Sequence, residues 1–315
     1  MPEAQRRILV WNVHGNYLHA LSHVPFEWVV PVAADGRPGY TPPTPHLDWP
    51  DNIRVVAPQD LRSMQFDAVV YQSTANLADA ARLLEPRQLG LPCVYIEHNP
   101  PEPSPTESWH PFRHPRGLLV HVTHFNAAMW LAPGVPQRVI EHGVPDAGAG
   151  PESRLPRGLV VINHLGRRGR RLGQDIFERA RTAVALDLIG MQSEALGGLG
   201  EIPNRQVASR MAEYRYFFTP IRYASLGLSL VQAMLCRLPV VGFAATELAS
   251  VIENGRNGYV DTREARWLEA ARALQEDAAL AAVWGSAARA TALERFGMER
   301  FIHEWTAALG AVLEA

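Results

Sequence analysis

The sequence predicts an α/β protein built from two Rossmann-like domains that face each other across a cleft. Three observations carry this expectation. The stretch Phe217–Val260 alternates strand, helix, strand and helix at the spacing of parallel βαβ units. Two apolar runs, Arg7–Trp11 and Leu159–Asn163, each lead into a glycine-bearing turn, as a first parallel strand does. A length of 315 residues fits two domains, each large enough for its own core.

Composition narrows the chemistry. A net charge of −2 gives no electrostatic reason to expect nucleic acid as a partner. All 30 basic residues are arginine, which excludes Schiff-base, pyridoxal-phosphate and Walker-type lysine chemistry. Cys93 and Cys236, far apart in apolar patterns, read as reduced core residues. No run reaches the apolar length of a membrane span, and Met1–Arg7 lacks a signal-peptide shape, so a cytoplasmic protein is expected.

In chain order, the strand Arg7–Trp11 ends in Asn12-Val13-His14-Gly15, where a glycine lets backbone approach a ligand; a tight turn is the equal alternative. His19 and His23 are expected on the surface. A strand over Phe26–Val32 precedes a proline- and glycine-rich loop, Ala33–Pro50. Strands follow at Val55-Val56, Phe66–Tyr71 and Pro92–Ile96, the last two separated by a helix over Leu77–Leu84. Glu97-His98 closes that strand, and an imidazole beside a carboxylate at a carboxyl edge is a site candidate. A loop over Glu102–Arg116 leads to the strand Leu118–Val122 and a helix capped by Thr123 or Asn126. His121 is assigned to the core and His124 to the crevice. Their spacing spans a strand-to-helix junction, which disfavours a zinc pair.

A linker over Asp146–Arg157 separates the halves. After Leu159–Asn163 comes His164–Gly173, with four arginines and three glycines ahead of a helix. Amide groups, a helix start and guanidinium forks together suit a diphosphate. Val184–Gly190 reads as a strand and Gln206–Tyr214 as a helix. In the central stretch a strand stops at Pro220, a helix opens at Gly227, a strand spans Pro239–Phe243, and a helix passes through Leu248 to Ile252. Helices over Arg263–Leu274, Ala278–Phe296 and Arg300–Leu313 finish the chain.

The wording of the central stretch resembles the donor-binding segment of retaining GT-B glycosyltransferases of family 4. Ala224-Ser225-Leu226-Gly227-Leu228, Gln232-Ala233-Met234, Arg237-Leu238-Pro239-Val240-Val241 and Val251–Gly258 carry the likeness. The family's two glutamates fall on Ala224 and Gln232, and its paired glycines on Thr246-Glu247. Its lysine position holds Leu172, so Arg170 or Arg171 would substitute. The resemblance implies a GT-B fold and a retaining, metal-independent transfer from a nucleotide-diphosphate sugar, with no other cofactor. It places His98 beside the transferring sugar; Gly15, Arg167, Arg171, Gly227, Leu228 and Gln232 on the donor; and His14, Glu97 and His124 on the acceptor side. It implies domains over 1–147 and 148–299, with a last helix over 300–315 returning to the first. The loop Gly197–Pro203 would lie near the nucleobase.

The expected partners are a nucleotide sugar and a sugar acceptor. Peripheral membrane association is compatible with them, and the oligomeric state is open. The missing glutamates motivate a second reading, a catalytically degenerate binding or scaffold protein. A histidine-dependent metalloenzyme is a third. The leading expectation is the glycosyltransferase.

Overall fold

The computed structural model describes residues 6–148 and 155–314. Most of the Met1–Arg7 segment, part of the expected linker Asp146–Arg157, and Ala315 lie outside the described residues. The chain forms two compact units, Met1–Gly143 with Met298–Ala315, and Val144–Gly297.

In the first unit seven strands run parallel: β1 (Arg7–Val10), β2 (Glu27–Pro31), β3 (Ile53–Val56), β4 (Ala68–Tyr71), β5 (Cys93–Glu97), β6 (Gly117–His121) and β7 (Gln137–Val139). Their order across the sheet is β3-β2-β1-β4-β5-β6-β7. The winding therefore reverses between β1 and β4. The helices are α1 (Gly15–Ser22), α2 (Thr74–Leu83), α3 (Pro86–Leu89) and α4 (His124–Met129).

Alternate strand residues feed opposite faces of this sheet. Ile8, Val10, Trp28, Val30, Val70, Val94 and Ile96 pack on one face, Leu9, Val29, Val69, Cys93 and Tyr95 on the other. The two-residue period of a strand makes both sets necessary, because a parallel sheet is covered on both sides. Cys93 is a buried free thiol whose pKa burial pushes up to about 12.

In the second unit the strands are β8 (Leu155–Val161), β9 (Leu186–Ile189), β10 (Tyr214–Thr219), β11 (Val240–Phe243) and β12 (Gly258–Asp261), all parallel and ordered β12-β11-β10-β8-β9. The helices are α5 (Leu165–Arg168), α6 (Gln174–Ala183), α7 (Asn204–Met211), α8 (Leu228–Leu235), α9 (Leu248–Val251), α10 (Glu264–Glu276) and α11 (Ala278–Phe296). Here the winding reverses between β8 and β10. No helix among the described residues is long and apolar enough to cross a membrane.

The last helix, α12 (Met298–Glu314), belongs to the first unit. Phe301, Trp305 and Leu309 enter the core beside Tyr17, Leu18 and Leu21 of α1. Arg300 donates to the carbonyls of Glu141 (3.0 Å) and His142 (2.8 Å). Gly143 lies flat against the Phe301 ring, leaving no room for a Cβ.

Several expectations need correction. His19 is buried, not on the surface: its ring nitrogen lies 3.1 Å from the Asp48 carbonyl and the ring packs edge-on to Trp49. Tyr214 does not end a helix but opens β10, its hydroxyl donating to Asp187 at 2.9 Å. The strand β12 and the short helix α3 were not anticipated. Pro86 at the first helical position and the Glu85–Gln88 capping box were the signal for α3.

Trp305 is fully buried, so Trp305→Ala should cost the first unit about 3–5 kcal/mol. Denaturant unfolding followed by circular dichroism checks this; a loss below about 1 kcal/mol would contradict the packing role of α12.

Candidate functional site

In the second unit β8 and β10 lie side by side while their following segments leave in opposite directions, which opens a crevice at their carboxyl ends. A small pocket of about 30 Å³ occupies it. Val161 and Ile162 come from the end of β8, Thr219 from β10, Ser225 and Gly227 from the next turn, and Thr246 from the turn before α9. Among the described residues no charged side chain lines it. Hydroxyls of Thr219, Ser225, Ser229 and Thr246 supply its side-chain polarity.

Gly227 is the N-cap of α8, and no side chain caps this helix. The free first-turn amides at Leu228 and Ser229 make its start a site for negative charge. Gln232 sits half-buried one turn on, and its side-chain amide makes no hydrogen bond among the described residues. Thr246 holds a left-handed backbone with φ of 50°. For a β-branched residue that conformation is strained. The turn thus keeps a geometry suited to glycine although the glycines expected there are absent.

The arginine-rich segment 164–173 is more ordered than the expected loop. It folds as α5 followed by a single 3₁₀ turn over Gly169–Leu172. Gly173, with φ of 79°, presses against the carbonyl of Pro220, where a Cβ has no space. The Arg171 carbonyl accepts from the amides of Arg222 (3.1 Å) and Tyr223 (3.2 Å). These contacts fix the arginine segment beside the turn that leads into α8.

The arginines take different roles. Arg170 pairs with Asp175 at 2.9 Å, Arg179 reaches the same carboxylate at 3.3 Å, and Arg222 holds it with both guanidinium nitrogens. The Arg222 hydrogen bond foremost holds the Asp175 carboxyl well below its usual range. Arg170 makes its ion pair with Asp175 from an exposed position. Leu172, at the lysine position itself, is buried in the core. Arg167 is exposed and makes no ion pair among the described residues. Burial, then the charge of Arg167, lowers the pKa of Arg168. Two adjacent guanidiniums without a carboxylate form a local positive surface suited to an anion.

The first unit has its own crevice where the winding reverses between β1 and β4. His14 stands at the N-cap position of α1 without a side-chain capping bond, and Gly15 is the first residue of the helix. Asn12 follows β1, Gln72 follows β4, and His98 follows β5. Asn12 anchors the Ala33–Pro50 loop, its amide donating to the Thr41 carbonyl at 3.0 Å. His98 Nε2 lies 3.0 Å from Gln72 Oε1. The His98 ring meets His14 edge-on at 4.3 Å and Tyr17 at 4.7 Å. Tyr17 also faces His142 at 5.8 Å.

Burial, reinforced by His14 and His142, lowers the His98 pKa well below the ordinary histidine value. Burial also lowers the pKa of His14, against a smaller opposing pull from Glu97. The Glu97 carboxylate faces inward: Oε1 accepts from the Asn99 amide at 2.8 Å and Oε2 lies 3.0 Å from His110 Nε2. It shapes the loop behind His98 instead of reaching out for a ligand. His121 is buried, with Nε2 2.9 Å from Gln137 Oε1, whereas His124 is exposed at the start of α4. Among the described residues no three His, Cys, Asp or Glu side chains are placed to hold a metal ion. Trp130, which donates to the Asn99 carbonyl at 2.9 Å, and Gln72 are site neighbours that carry no sequence signal.

Residues 178–277 match the family model described as Glycosyl transferases group 1. The fold is GT-B. Sucrose-phosphate synthase from Thermosynechococcus elongatus matches with a TM-score of 0.73 at 14% identity, over 98% of this chain and 100% of that one. The Anabaena protein HepE, in complex with UDP and glucose, matches with a TM-score of 0.67 at 16% identity, over 98% and 100%. S. aureus TarM matches at 0.61 and 13%, over 79% of this chain and 55% of its own, so the chain spans just over half of that relative. At these identities the structural likeness concerns the fold. No curated protein matches the sequence.

His98 makes stability depend on pH in a definite direction. Its folded pKa is depressed, so below its ordinary pKa of about 6.5 the unfolded chain takes up a proton that the folded chain refuses. Its contribution is fully present above that pH and is lost as pH falls, by at most about 1.4 kcal/mol per pH unit. Unfolding midpoints between pH 7.5 and 5.5 should fall more steeply for the native chain than for His98→Gln. Parallel curves would refute this.

Proposed function

We propose that the chain is a retaining, metal-independent glycosyltransferase that moves a sugar from a nucleotide-diphosphate donor to a glycan, lipid or small-molecule acceptor. The observation that carries this reading is the uncapped start of α8 held beside the arginine segment 164–173. The hard step is departure of a diphosphate while positive charge grows on the sugar ring. Fixed amides and guanidiniums stabilise that leaving group without a protein nucleophile. On this reading Arg167 and Arg171 hold the diphosphate with the amides at Gly227 and Leu228. Gln232 hydrogen-bonds the ribose through a neutral amide. His98 serves the sugar and acceptor side, with His14 and His124 nearer the acceptor and Gly15 offering close backbone approach. The donor is the substrate, and the mechanism uses no resident cofactor.

The UDP bound to HepE and TarM makes UDP sugars the first donors to try. The second reading, a binding or scaffold protein, is favoured by Ala224 and by the absence of charged side chains among the described residues of the pocket lining. Turnover separates the two: tight nucleotide binding with no transfer from any donor would favour the scaffold.

In a thermal-shift panel of UDP, GDP, dTDP and CMP sugars, one nucleotide class should raise the melting temperature. The double variant Arg167→Ala with Arg171→Ala should lower the calorimetric affinity for that donor at least about 100-fold, each charged contact contributing about 1.5–3 kcal/mol. Unchanged affinity rules out this diphosphate site.

A further inference from the structure

We infer that Gln72 is a positioning residue that holds His98 as its Nε2–H tautomer, so that His98 offers an unprotonated Nδ1 to a substrate hydroxyl. The inference deepens the transferase reading and rests on it for the word substrate. Gln72 stands where the winding of the first sheet reverses, just after β4 and beside the end of β1. Two contacts define the orientation of its side chain: Nε2 donates to the Trp11 carbonyl at 2.7 Å, and Oε1 lies 3.0 Å from His98 Nε2. Its backbone N–H donates to Asn76 Oδ1 at 3.0 Å, which fixes the main chain beneath it. An inverted amide would press Oε1 against the Trp11 carbonyl, oxygen against oxygen. Gln72 Oε1 is therefore the acceptor, and His98 Nε2 must carry the proton.

The other ring nitrogen follows from the first. A neutral imidazole has one N–H, so Nδ1 is left with its lone pair. His98 is nearly buried, and its Nδ1 has no hydrogen-bond partner among the described residues. His14, Tyr17 and His142 are the titratable groups around the ring, with Glu97 behind His14 and Arg300 behind Tyr17. Burial keeps the imidazole neutral. The ring therefore accepts a hydrogen bond at Nδ1 and is fitted to orient a hydroxyl or draw its proton. Asn76 secures the arrangement from α2, whose start is capped by Ser73.

The test is a long-range proton–nitrogen spectrum of the whole protein with nitrogen-15 histidine, near pH 7.5. His98→Gln identifies the His98 signals. The native chain should show His98 protonated at Nε2 only. Gln72→Met, which keeps the side-chain length but removes the acceptor, should lose that preference and show a mixture or the Nδ1–H form. If Gln72→Met does not retain a native melting transition, Gln72→Asn, whose amide is too short to reach His98, replaces it. Where transfer is measurable, the Gln72 variant should lower kcat by about 100-fold with donor KM changed less than about two-fold. An Nδ1–H tautomer in the native chain, or an unchanged Nε2–H tautomer in the variant, overturns the inference. The spectrum needs no substrate, so an absence of transfer in the native chain would count against the transferase reading alone.

Discussion

The reversal of winding within each parallel sheet is the constraint on which the rest depends. Where two adjacent strands send their chains to opposite faces, no helix covers the gap between them. In the second unit that gap collects the ends of β8 and β10, the uncapped start of α8 and the arginine segment. In the first it collects Asn12, Gln72 and His98. Backbone amides and a few side chains converge there because the sheet has nowhere else to place them.

Charge is handled differently in the two units. The second concentrates arginines and fastens Arg170, Arg179 and Arg222 to the one carboxylate of Asp175. Among the described residues the pocket lining carries no charged side chain, and neutral hydroxyls supply its polarity. The first unit instead gathers imidazoles and removes their charge by burial. A desolvated neutral histidine is a hydrogen-bonding group with a fixed sense, whereas a solvated one titrates across the physiological range. The inward-facing Glu97 carboxylate belongs to the same economy, bound to the Asn99 amide and His110 and shaping the loop from behind.

Much of the fold was legible in the residues. The runs around Val10, Val94, Val160 and Val240 become buried parallel strands because unbroken apolar stretches between turn residues have few other destinations. Thr123 caps α4 through its hydroxyl, as its place before an apolar pattern implies. Short elements were harder. β12 follows the asparagine–glycine turn so closely that its few residues show no period of their own, and Tyr214 extended the preceding helical pattern into a strand.

The sequence by itself determined the alternation of strands and helices, the arginine cluster ahead of α6, the helix start at Gly227 and the placing of His98 at a strand end. These depend on neighbours along the chain: periodicity, caps, proline and glycine. Tertiary structure alone decided that Arg170 pairs with Asp175, that Glu97 turns inward, that His19 is buried and that Gln72 meets His98. Each of those outcomes is set by a partner distant in sequence, such as the 26 positions between Gln72 and His98. Hydrogen-bond satisfaction in a packed interior is settled by which groups the fold brings together, and no local pattern encodes it.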